Sequence, residues 1–112
     1  MIIHKDLTPE RWFSFSIFKQ LANVGMDVAR AIDWKKKNNL EYSNNAFDRA
    51  LELLDLTIAD PKNKGARRKE MLMVREALVD FIMYDNEYQT TEELWYNYFY
   101  DFNYAYALER GV

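Results

Sequence analysis

The sequence predicts an all-α protein, a four-helix up-and-down antiparallel bundle, and three observations carry that expectation. Apolar residues recur at helical spacing in four separate stretches. The punctuation between stretches is short and of helix-ending type, with Pro61 and Gly65 in one turn and Asn38-Asn39 in another. Three glycines and two prolines among 112 residues are also few for a loop-rich or all-β chain. The fold is organised around residues 44–83, where two amphipathic helices flank the turn Asp60-Pro61-Lys62-Asn63-Lys64-Gly65.

The first helix is expected over 9–37. Thr8-Pro9-Glu10 reads as an N-cap, a proline at the first helical position and an acid in the first turn. A helix of that length spans roughly 43 Å. Its apolar stripe is Ser14, Ile17, Phe18, Leu21, Val24, Gly25, Val28 and Ile32, with Gly25 read as a point of close helix approach or a bend. Trp12, Ser16, Lys19, Asn23, Asp27, Arg30 and Trp34 fall on the outer side. Lys35-Lys36-Lys37 complement the dipole of the last turn, and Asn38-Asn39 is the candidate C-cap.

The second helix is expected over 41–60. At about 100° per residue, Ser43, Ala46, Phe47, Ala50, Leu51, Leu54 and Ile58 share one side, and Glu41, Asp48, Glu52 and Asp55 the other. Pro61 ends it near Ala59 or Asp60. The third helix begins after Gly65 and runs over 66–84. Its stripe is Met71, Val74, Leu78, Phe81 and Ile82, with Arg68, Lys69, Glu76 and Asp80 largely outside it. So short a connection makes the pair an antiparallel hairpin.

Asn38 to Leu53, with Phe47-Asp48-Arg49-Ala50-Leu51-Glu52-Leu53, resembles the second helix of a tetratricopeptide repeat. The would-be first helix, Leu21-Ala22-Asn23-Val24-Gly25, lies about six residues too far upstream, and no second copy follows. The longer phrase from Arg49 through Arg75 resembles a family of small uncharacterised prokaryotic all-helical proteins without assigned activity. That resemblance implies a helical fold and supplies no site.

After the polar loop Asp85-Asn86-Glu87-Tyr88-Gln89, Thr90-Thr91-Glu92-Glu93 has the spacing of a capping box, and a helix is expected over 91–110 with Gly111 terminating it. Tyr96, Tyr98, Tyr100, Phe102, Tyr104 and Tyr106 alternate with strand period. The capping signal, the length and the lack of a partner strand decide for helix. Leu94, Trp95, Tyr98, Phe102, Ala105 and Tyr106 then form its core face. Alternation of four helices places the Asp60–Gly65 turn at the end that holds both termini, and the triple lysine beside the Asp85–Gln89 loop at the other.

Composition narrows the function classes. A formal charge of −3 and a pI near 5.2 argue against a whole-domain polyanion binder, though not against a local basic patch. Cysteine is absent, which removes disulfides and thiolate metal sites. The start Met1-Ile2-Ile3-His4-Lys5-Asp6 has no apolar stretch fit for a signal peptide, and residues 1–7 read as a tail. No stretch of about 18 apolar residues suits a membrane span, so a cytoplasmic location is expected. His4 is the only histidine, too few for a helical di-iron site, and no arginine precedes a histidine at the spacing of HEPN-type ribonucleases. Asp48, Glu52 and Asp55 on one helix face permit a hard cation without specifying one, and Asn23, Asp27 and Arg30 read as ordinary surface pairing. No cofactor is expected.

Two surfaces are left as candidates. Lys62, Lys64, Arg67, Arg68 and Lys69 cluster at the start of the third helix, where cations oppose the dipole. Either Asp60, Glu109 or the terminal carboxylate compensates them, or the site takes an anion. In the last helix, Tyr96, Tyr100 and Tyr104 form a second aromatic stripe, and Leu72, Val79 and Met83 also fall off their helix's core stripe. The expected function is that of a non-enzymatic bundle acting through protein contacts, self-association as a symmetric homodimer foremost. The alternative is a nucleic-acid or nucleotide-linked module using the basic end, like a catalytically silent partner of nucleotidyltransferases, a comparison of folds alone.

Overall fold

The computed structural model describes residues 7–111, and every regular element among them is helical. The elements are α1 (Pro9–Phe13), α2 (Ile17–Lys36), α3 (Leu40–Ala59), a 3₁₀ turn (Pro61–Asn63), α4 (Ala66–Met83) and α5 (Glu92–Glu109). The four long helices run alternately up and down. Ser43 Oγ donates to the Ala31 carbonyl (2.7 Å), Arg75 reaches Asp55 (2.7 Å) and Lys36 reaches Glu92 (3.0 Å), so each helix lies antiparallel to its neighbour. No described helix is long and apolar enough to cross a membrane.

The first expected helix is broken. Thr8 Oγ1 accepts from the Arg11 amide (3.1 Å) and Pro9 opens α1, as the sequence implies. The chain then leaves the helix at Ser14, whose Oγ donates back to the Arg11 carbonyl (2.6 Å), and restarts at Ser16, whose Oγ accepts from the Lys19 amide (3.1 Å). Two serines two residues apart offer the backbone local partners that compete with a continuous helix. The break turns Trp12 inward, so the residue expected outside is 3% exposed and Ser14, expected inside, is exposed. Asp27, also expected outside, is buried beside Arg30 (3.2 Å). Leu7, assigned to a tail, packs against the core, while residues 1–6, His4 among them, lie outside the described residues.

The organising element is α2 rather than the hairpin of residues 44–83. It packs along α3 on one side and α5 on the other, whereas α4 rests only lightly on α3. Leu21, Val24, Val28 and Ile32 meet Phe47, Ala50 and Leu54 in the core, as their spacing predicts. The α2–α3 connection is a Schellman ending: Asn38 has φ 62°, and the Asn39 amide reaches the Trp34 carbonyl (2.9 Å). Asn39 itself caps α3, accepting from the Tyr42 amide (3.1 Å).

Helix α5 is rotated relative to the expectation. Trp95 and Phe99 are its buried residues, and Leu94, placed on the core face by spacing alone, is 46% exposed. Gly25 causes the difference: a Cβ there would lie 2.5 Å from the Phe99 Cβ, so α5 occupies the space a side chain on α2 would fill. Thr91 rather than Thr90 caps α5, accepting from the Leu94 amide (3.1 Å), and the Thr90 hydroxyl accepts instead from the Trp95 indole (3.0 Å).

Candidate functional site

Buried polar side chains gather at the end of the bundle that holds α1 and the α3–α4 turn. The Trp12 indole donates to Thr57 Oγ1 (3.0 Å), and Gln20 Nε2 donates to the Trp12 carbonyl (3.0 Å) and to Asp60 Oδ2 (2.8 Å). Asn63 Nδ2 donates to Gln20 Oε1 and to the Thr57 carbonyl, both at 3.0 Å. Lys62 completes the knot, pairing with the Asp60 carboxylate and donating to the Phe13 carbonyl (2.9 Å). Burial alone would raise the Asp60 carboxyl, but the bonds from Lys62 and Gln20 outweigh it and hold Asp60 below its usual value. This network ties α1, α2, α3 and the 3₁₀ turn together, and sequence reasoning missed it. Thr57 and Gln20 are polar residues at core positions, which was the available signal.

The same network takes apart the expected basic site. Arg68 turns back onto the end of α3, donating from Nε to the Ile58 carbonyl (2.9 Å) and from Nη2 to the Asp60 carbonyl (3.0 Å). A cation at the carbonyl end of α3 is favourable, which offsets its poor position at the start of α4. Arg67 pairs with Glu70 (3.1 Å) and lies over the Phe102 ring (5.8 Å). Glu109 accepts from Ser16 Oγ (2.6 Å) instead of facing these cations. Lys64 and Lys69 are left at the surface, so Lys62, Lys64, Arg67, Arg68 and Lys69 do not converge on one point. Asp55 of the acidic α3 face pairs with Arg75, and no group of three metal-ligating side chains converges among the described residues.

The expected aromatic interface divides. The Tyr96 hydroxyl donates to Asp33 Oδ1 (2.9 Å), and burial together with that bond pushes its pKa up to about 12. Tyr100 and Tyr104 are 62% and 57% exposed, and Tyr100 walls a hollow of about 520 Å³ with Met26 and Ala29 of α2. On α4, Leu72 and Met83 are half exposed, while Val79 is partly buried against the core. These three share the flank from which Arg75 reaches α3. The tyrosines lie on the α2 flank of α5, so the two sets look away from each other and cannot line one flat interface.

The surface between those flanks was not singled out. Because α4 leans on α3 and α5 on α2, the seam between α4 and α5 stays open as a groove of about 460 Å³. Met73, Val74, Ala77 and Trp95 line it, flanked by Lys69 and Glu70. Met73 is 70% exposed at the rim. Tyr98, on the α4 side of α5, has a buried hydroxyl with no hydrogen-bond partner among the described residues. Burial and then the Glu70 charge raise its pKa. Four consecutive apolar residues, Met71-Leu72-Met73-Val74, were the signal for this face, since no single helical stripe buries all four. No family model, curated protein or solved structure matches the chain, so the candidate surface rests on this geometry alone.

Proposed function

We propose that the chain is a non-enzymatic helical module that acts by protein contact through the open face between α4 and α5. Self-association is the form of that contact to test first. The observation that carries this reading is the groove itself, an uncovered apolar seam with Met73 standing at its rim. Contiguous exposed apolar surface edged by charged residues is the usual mark of a protein interface, and methionine suits such surfaces. The buried polar groups around α1 and the α3–α4 turn support the same reading, because they bond to one another and to backbone in holding the fold. The polyanion alternative has less support, because Lys62 and Arg68 serve the fold and Arg67 is paired.

Sedimentation velocity across the micromolar range tests this. Wild type is expected to gain mass with concentration, and Met73→Asp, a change at an exposed position, to shift it toward monomer without loss of helicity. Tyr100→Glu with Tyr104→Glu, on the α2 flank, is expected to leave association unchanged. A wild type that stays monomeric removes self-association, and association indifferent to Met73→Asp puts the contact elsewhere.

A further inference from the structure

We infer that the partner at the α4–α5 face is a second copy of this chain, docked by antiparallel pairing of α4 with α4 about a two-fold axis. The inference rests on the protein-contact reading above and specifies its partner and geometry. At about 100° per residue, Ala66, Lys69, Met73, Ala77, Asp80 and Tyr84 follow one line along α4 and just past its end. That line lies opposite the buried Met71, Leu78 and Ile82.

The line is complementary to itself only when reversed. A two-fold axis crossing level with Arg75 brings Ala66 against Tyr84 of the second copy, Met73 against Ala77, and Lys69 beside Asp80. Small residues then face large ones and a cation faces an anion, each twice by symmetry. Laid parallel and in register, the same line would set Lys69 on Lys69 and Asp80 on Asp80. The lateral placement agrees. Lys69 and Asp80 lie to one side of Met73 and Ala77 to the other, and the two-fold keeps each side on its own side. Lys69 therefore reaches Asp80 while Met73 passes over Ala77 into the groove.

Charge continues the pattern beyond the helix. Lys64 precedes α4, while Asp85 and Glu87 follow it, and all three are exposed. Asp80 accepts from the Glu87 and Tyr88 amides (2.9 and 3.0 Å), which fixes the acidic end as one structured unit. Reversal places the basic end of each copy against the acidic end of the other, a pattern that selects orientation as well as attraction.

Two variants with opposite charge changes read the geometry directly. Lys64→Glu with Lys69→Glu makes both ends acidic, and Asp85→Lys with Glu87→Lys makes both ends basic. These four side chains are exposed, and circular dichroism checks that each variant folds. Native mass spectrometry and sedimentation at low salt are expected to show wild type as a dimer and each variant alone with its dissociation constant raised at least about tenfold. An equimolar mixture is expected to regain dimer, now heterodimeric. A dimeric wild type whose variants also dimerise alone overturns the α4 pairing and leaves the protein-contact reading standing. Variants that are monomeric both alone and mixed overturn the antiparallel orientation. A monomeric wild type leaves the groove to a different protein and overturns self-association with it.

Discussion

Gly25→Ala tests whether the close approach of α5 to α2 is what sets the fold's asymmetry. Two effects oppose each other. Alanine in a helix interior is favoured over glycine by about 1 kcal/mol. Against this, the added methyl would sit 2.5, 2.8 and 3.0 Å from Cβ, Cγ and Cδ1 of Phe99, where ordinary contact begins at 3.4 Å. The nearest of these atoms is a Cβ, fixed to the backbone, so rotating the ring gives no relief and α5 itself must retreat by about 1 Å. Bonds to α2 at both ends, Ser16 to Glu109 (2.6 Å) and Tyr96 to Asp33 (2.9 Å), resist that retreat. Overpacking of this kind costs about 1–3 kcal/mol. The clash therefore cancels or outweighs the propensity gain, and a net loss of up to about 2 kcal/mol is expected, seen as a Tm lower by as much as several degrees in a thermal melt followed at 222 nm. A variant that melts higher than wild type would refute the close approach.

Two further outcomes follow from the polar groups. Asp60→Asn should lower stability by about 1–3 kcal/mol near neutral pH, because Lys62 and Gln20 lose a charged acceptor. Since the folded protein holds Asp60 below 3.8, its contribution is present above that value and disappears as pH falls through the lowered value. Denaturant melts should accordingly show the gap between wild type and Asp60→Asn narrowing only in that acid range, and a gap constant with pH would contradict the knot. Tyr98→Phe removes a buried hydroxyl with no partner among the described residues, so it should be neutral or stabilise by about 1 kcal/mol. A clear loss in a urea melt would mean the hydroxyl is satisfied.

Much of the fold was legible because helical periodicity is local. The stripes of α2 and α3, the stop at Pro61, the start after Gly65 and the up-and-down order all follow from spacing and turn chemistry. The break at Ser14–Ser16 was written in the sequence too, but as serine capping that competes with an unbroken apolar pattern, and periodicity does not weigh that competition. The rotation of α5 was not legible from α5 itself, because it depends on the missing side chain of Gly25 on another helix. The basic cluster left two outcomes open for a related reason, and Asp60 does compensate Lys62, one of the two. Charges adjacent in sequence point to different partners once the turn folds, so that Arg68 caps α3 while Arg67 pairs within α4. The groove itself is a property of helix placement; the run Met71-Leu72-Met73-Val74 signals an extra apolar face on α4 but not the open seam beside α5.

The contact surface itself is most directly mapped by a dilution series of amide spectra on isotopically labelled protein, from high micromolar to low micromolar concentration. If α4 and α5 form the interface, dilution should move the amides of residues 66–84 and of the neighbouring turn of α5 around Leu94 and Trp95, leaving Tyr100, Tyr104 and α3 in place. Spectra that do not change with concentration, or changes confined to the Tyr100 and Tyr104 flank, would contradict it.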